Sequence, residues 1–123
     1  MGHAMIVFLL AAHALADFPL QSDTMAQCKC RGAGHAAAKS VPWYYWLTYH
    51  ALIHGVAVGL VFKLYGATES LVLAVVLAET VVHWLIDFGK CSKLYTIHVD
   101  QALHILCKFL WWLLWLAATE QIS

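Results

Sequence analysis

Four apolar stretches separated by polar links organise the 123-residue chain. They cover about residues 5–20, 43–65, 70–88 and 97–119, with a longer link over 21–42. Crossing the hydrocarbon of a bilayer takes roughly 20 helical residues, with about 17 to 25 tolerated. The last three stretches meet that length. The first is shorter, carries His13 and Asp17, and ends at Pro19. It has no Lys or Arg, so it lacks the basic start of a cleaved signal peptide and reads as a short first transmembrane helix. The link 21–42 contains Gly32, Gly34 and three consecutive alanines, and reads as a loop with room for a short helical turn. The predicted fold is all-α: a single integral membrane domain over residues 1–123, a polytopic four-helix transmembrane bundle made of two helix hairpins.

Composition strengthens this reading. Apolar residues make up 63% of the chain and Asp, Glu, Lys and Arg only 11%, against about 25% charged residues in a soluble domain. A soluble enzyme is excluded. Seven basic and seven acidic residues cancel, which removes the positive footprint that nucleic-acid binding needs. Charges in the links set an orientation. Lys29, Arg31 and Lys39 follow the first stretch and Lys90 and Lys93 the third, while Glu69 and Glu120 lie at the other end. Basic links face the cytoplasm, which places both termini outside. Trp43, Tyr44, Tyr45 and Trp46, and Trp111, Trp112 and Trp115, fit aromatic belts at two interfaces. Cys28 and Cys30 form a C-x-C, and Cys91 and Cys107 stand alone. Neither a zinc-ribbon spacing nor a disulfide framework results, so the cysteines read as free thiols in a reducing compartment, and the sequence assigns Cys28 and Cys30 no role.

Eight histidines in so apolar a chain call for a chemical account. Ionisable residues inside membrane helices are costly and mark functional sites by default. Here they recur at four-residue spacing: His13 with Asp17, His50 with His54, His83 with Asp87, and Asp100 with His104. Residues i and i+4 are neighbours on a helix surface, so each stretch can aim two donor groups at one place. Alternating topology brings all four pairs to the cytoplasmic half of the bilayer. H-x-L-x-D-F occurs twice, at 13–18 and 83–88, each followed by a helix bearing a second pair, which suggests an internal repeat.

Imidazole and carboxylate gathered in this way suit Zn, Mn, Fe or Ni. The predicted metal ligands are His13, Asp17, His83, Asp87, Asp100 and His104, for one or two divalent ions. His50 or His54 would bind metal too or act as general base. Gln21 and Gln101 are candidates to orient ligands. Lys108, midway along the last stretch, pairs most plausibly with Glu79, as a buried ion pair, an anion contact or a step in a proton path. His98 is an interface residue or a peripheral member, and His3 and His35 read as solvated.

The run His13-Ala-Leu-Ala-Asp-Phe-Pro-Leu-Gln21, then His50-x-x-x-His54, His83-x-x-x-Asp87-Phe-x-Lys90 and Asp100-Gln-x-x-His104, resembles the bacterial and phage membrane family known as domain of unknown function 3307. The resemblance implies the bacterial inner membrane and supports the architecture more than a reaction. In style the pattern is also similar to membrane-bound metal-dependent hydrolases. The leading expectation is a metal-dependent hydrolase at the cytoplasmic face, acting on a phosphoester or lipid-linked substrate. The alternative is a metal-ion or proton transporter or sensor using the same cluster, which needs a polar path past Lys108 and Glu79 toward Glu69. A haem-binding bundle is disfavoured by the carboxylates beside most of the histidines. The expected partners are the lipid bilayer and such a substrate, with a homodimer as a further option.

Overall fold

The structure, a computed structural model, describes residues 2–120. Five α-helices make up most of it: α1 (Gly2–Asp17), α2 (Asp23–Cys28), α3 (Trp43–Leu64), α4 (Glu69–Cys91) and α5 (Ile97–Glu120). A 3-10 turn at Ala36–Lys39 completes the set, and no strand occurs among the described residues. α3, α4 and α5 are long and apolar enough to cross a membrane. α1 spans 2–17 rather than 5–20. Pro19 has no N–H to give and disfavours helical backbone at Phe18, so α1 stops at Asp17 and 18–20 turn away. Its 16 residues reach only about 24 Å.

The other ends have local causes. Gly66, at φ 83°, closes α3, and the Thr68 hydroxyl accepts from Leu71 N–H to open α4. Lys93, at φ 59°, lets Leu94 N–H reach the Gly89 carbonyl and closes α4, a hydrogen-bond pattern that satisfies carbonyls left over at a helix end.

α1 packs on α3 and α5, and α4 packs on α3 and α5, so the four long helices form a ring. The α3–α4 contact is the most extensive. It rests on Gly55-x-x-x-Gly59, a small-residue pattern that lets helix backbones approach closely. A Cβ on Gly55 would meet the Val76 carbonyl at 2.6 Å, and one on Gly59 would strike the Val76 side chain.

The ring is inverted in polarity. Residues four apart share a helix face, and the buried stripes read Met5, Leu9, His13 on α1; Val75, Glu79, His83, Asp87 on α4; and Asp100, His104, Lys108 on α5. Exposed positions on the same helices are Val7, Leu15, Leu77, Val81, Leu85 and Leu106. Along its length the interior changes character. At one end Met5, Leu9, Val58, Val61, Phe62 and Val75 form an apolar core; at the other the titratable groups gather.

The connection from α1 to α3 folds over that polar end instead of hanging free. Ser22 caps α2, its hydroxyl accepting from Met25 N–H at 3.1 Å. His35 is not simply solvated, since its Nδ1 accepts from Ala37 N–H and starts the 3-10 turn. The fold brings Cys30 to Cys91, and the two form a disulfide across 61 residues of sequence. The free-thiol expectation is therefore corrected for this pair, because tertiary folding joins them and no short spacing encodes it. Cys28 and Cys107 are free.

Candidate metal centre

Two carboxylates organise the polar end. Asp17 closes α1, where the helix breaks before Pro19, and Asp87 lies in the last turns of α4. Asp17 Oδ1 is 3.0 Å from His54 Nε2 and 3.4 Å from His50 Nε2, both on α3. Its other oxygen is 3.4 Å from His13 Nε2. Asp87 Oδ1 is 3.2 Å from His104 Nε2, and Oδ2 is 3.4 Å from His50 Nε2 and 3.7 Å from His83 Nε2. Between the carboxylates, His83 Nε2 and His50 Nε2 face each other at 3.3 Å. The rings of His54, His83 and His104 stack, with centroids 3.7 and 4.1 Å apart.

These donors fall into two sets that share His83. Asp17, His50, His54 and His83 each offer a ligand atom, and those atoms all lie within 4.8 Å of one another; His83, Asp87 and His104 do the same. The donors fit a metal ion in kind and spacing. Ligand atoms about 2.1 Å from a shared tetrahedral ion sit about 3.4 Å from each other, close to the 3.0, 3.4 and 3.3 Å found around Asp17, His50, His54 and His83. Hydrogen bonding alone satisfies the cluster poorly. The facing Nε2 atoms of His50 and His83 share at most one proton between them, whereas each can give its lone pair to an ion.

Around this core the predicted residues divide. Gln101 donates to Asp17 Oδ2 at 3.0 Å and to Asp100 Oδ2 at 3.3 Å, and its oxygen is 3.3 Å from His13 Nε2, so it braces three of the predicted ligands. Asp100 reaches His104 Nε2 only at 3.6 Å, and His13 and Asp100 stand outside both ligand sets. Gln21 donates to the Asp17 carbonyl at 3.0 Å and touches no ligand side chain. His98 is exposed on α5, away from the cluster. Glu79 and Lys108 are paired at 2.5 Å, Trp111 donates to the second Glu79 oxygen, and Glu79 Oε1 lies 3.6 Å from His83 Nδ1.

Lys29 is the site residue that sequence patterning does not find. Its side chain is buried, with Nζ 2.6 Å from Asp87 Oδ2. In sequence it reads as one more loop charge. The only local sign is that Lys29 precedes Cys30 while Asp87 lies one turn before Cys91, so the disulfide anchors both partners of the ion pair. Tyr95, between α4 and α5, donates its hydroxyl to the Ile86 carbonyl. Burial, then the charges of Asp100 and Asp87, hold its phenol above the ordinary range, so it stays a donor.

A cavity of about 220 Å³ opens from the cluster beside Asp17, Asp87 and Asp100. No curated protein and no solved structure matches the chain. The sequence model of the family described as a protein of unknown function (DUF3307) matches residues 5–123, a span that contains every residue of the centre. By that near-complete match the chain belongs to the DUF3307 family.

Proposed function

We propose that this chain is a metal-dependent hydrolase of the bacterial inner membrane, a four-helix transmembrane bundle that acts at the cytoplasmic face on a phosphoester or lipid-linked substrate. The observation that carries the reading is the pair of ligand sets sharing His83, the first of them with contacts near those of a tetrahedral ion, beside a polar cavity. A divalent ion held there supplies Lewis acidity and an activated water. His83, His54 and Asp17 would hold it on one side, with Asp87 and His104 on the other. His50, whose Nε2 touches both carboxylates, would then take the proton released in hydrolysis, and His54 would do so where His50 replaces it on the ion.

The alternative, a transporter of metal ions or protons, needs a polar route onward to Glu69. Glu69 pairs with Lys63 at the surface, and Met5, Leu9, Val58, Phe62 and Val75 fill the interior between. That apolar plug favours the hydrolase. The outward apolar faces support the membrane assignment, since exposed leucines all round a ring of polar stripes suit lipid and not water.

Elemental analysis of protein purified in detergent, without chelator or histidine tag, tests the reading. One or two equivalents of Zn, Mn, Fe or Ni are expected, followed by metal-dependent release of phosphate in a phosphoester screen. Absence of metal after re-addition sinks the hydrolase, and metal-driven uptake into proteoliposomes without hydrolysis selects the transporter.

Orientation has its own test. By the positive-inside rule Arg31, Lys39, Lys90 and Lys93 favour a cytoplasmic polar end, and in that compartment disulfides are kept reduced. Alkylation of intact cells under denaturing quench is therefore expected to trap Cys30 and Cys91 as thiols that oxidise to the observed disulfide on purification. A pair already oxidised in cells would turn the bundle over, with the termini inside.

A further inference from the structure

The cavity over the centre carries more than an entrance. Lys29 and Lys90 line it together with Asp17, Asp87 and Asp100. Three carboxylates against two ammonium groups leave one negative charge. A single divalent ion reverses that sign, and a second makes the cavity strongly positive. Lys29 feels the change most, because its side chain is only 4% exposed and its hydrogen bond is to Asp87. Once Asp87 gives its charge to a metal, the buried ammonium is left short of a counter-ion, which is costly. The loaded cavity therefore suits an anion that arrives with, or after, the metal.

We propose that the metal-loaded cavity binds a phosphomonoester, with Lys29 and Lys90 on its oxygens. This rests on the metal-centre reading above. With two ions the cavity carries a net +3, which a dianionic monoester balances better than a monoanionic diester. Lysine binds phosphate as a compact point charge, and the space suits a head group more than a large polar molecule. Gln21 Oε1 and Asp100 Oδ1 are buried acceptors without a hydrogen-bond partner, on residues that line the same cavity, and can receive a hydroxyl of the bound ester. At the mouth, Phe18 is 74% exposed and Ile97 47%, so an acyl chain has an apolar exit beside the phosphate.

The test is equilibrium binding to protein of measured metal content, with inorganic phosphate in one arm and a short-chain diacyl phosphatidic acid in the other. Phosphate is expected to bind the metal-loaded protein and not the chelated one. Lys29→Met is expected to keep the metal and weaken phosphate about ten- to a hundredfold, the loss typical of a charge-assisted hydrogen bond, while Lys29→Arg retains most of the affinity. Lys90 is only partly buried, so Lys90→Met folds even if Lys29→Met does not, and a similar direction of change is expected. Tighter binding of the diacyl lipid identifies a lipid head group; equal binding identifies a soluble phosphate. Metal bound with phosphate affinity unchanged in both variants, or phosphate bound equally without metal, overturns the anion site and leaves the metal centre standing. Failure to load metal at all overturns the metal centre, and this inference with it.

Discussion

His83→Ala is expected to remove a ligand from whichever of the two sets holds the ion, lowering bound metal from the wild-type level to a background level. His83 is the one residue in both ligand sets, whereas His54→Ala and His104→Ala each strip a single set. Mutations of groups that merely support ligands typically cost about 10–100-fold in metal affinity, so loss of a shared ligand is expected to exceed that range. The fold should survive. Removing the imidazole takes away a ring without a hydrogen-bonded Nδ1, and Asp87 and Glu79 beside it keep their lysine partners, Lys29 and Lys108. Asp87→Asn is a less clean test, because the Lys29 ammonium 2.6 Å away would be left unpaired; combining it with Lys29→Met separates metal loss from destabilisation. Elemental analysis beside a circular-dichroism melt checks the set. Full metal content in His83→Ala with a native melt would falsify the shared-ligand arrangement.

Why the pairs were readable and Lys29 was not comes down to which forces have a local period. Inward-facing residues of a helix recur every three or four positions, so His13 with Asp17, His83 with Asp87 and Asp100 with His104 were legible before any fold was known, as were the long helices. The C-terminal boundary of α1 depends on one residue, Pro19, and falls at Asp17, three positions before the apolar stretch ends. The grouping was less legible. Sequence put six ligands on an equal footing, but the tertiary fold moves His50 and His54 into the first ligand set and leaves His13 and Asp100 braced by Gln101 at its edge. Lys29 and the Cys30–Cys91 bond belong to a connection with no periodic pattern. Their positions follow from how 18–42 folds back over the polar end, which is a long-range contact that spacing rules do not encode. Gly55 and Gly59 are a different case, since their pattern stands in the sequence but concerns helix approach and not hydropathy.

The ion pair between Lys108 and Glu79 is expected to be the most sensitive point of the fold outside the ligands. Lys108 is fully buried and Glu79 1% exposed, and Glu79 also accepts from Trp111. Lys108 does not line the cavity, so among the readings open to it the buried pair fits and a substrate contact does not. Deleting one partner of a buried pair costs about 3–5 kcal/mol, whereas replacing both with apolar or neutral residues of similar volume is often near neutral. Lys108→Met should therefore lower the unfolding midpoint in detergent sharply, and Lys108→Met with Glu79→Gln should recover most of it. The pair has a second readout because Glu79 Oε1 sits 3.6 Å from His83 Nδ1. At that distance the carboxylate acts on the ring through its charge, which raises ligand basicity. Metal affinity should fall in Glu79→Gln and stay low in the double variant even as stability returns. If the double variant regains full metal affinity along with its stability, Glu79 is only a structural counter-ion; if affinity stays depressed while the melt recovers, the pair tunes His83 and the polar stripe of α4 works as one unit from Glu79 to Asp87.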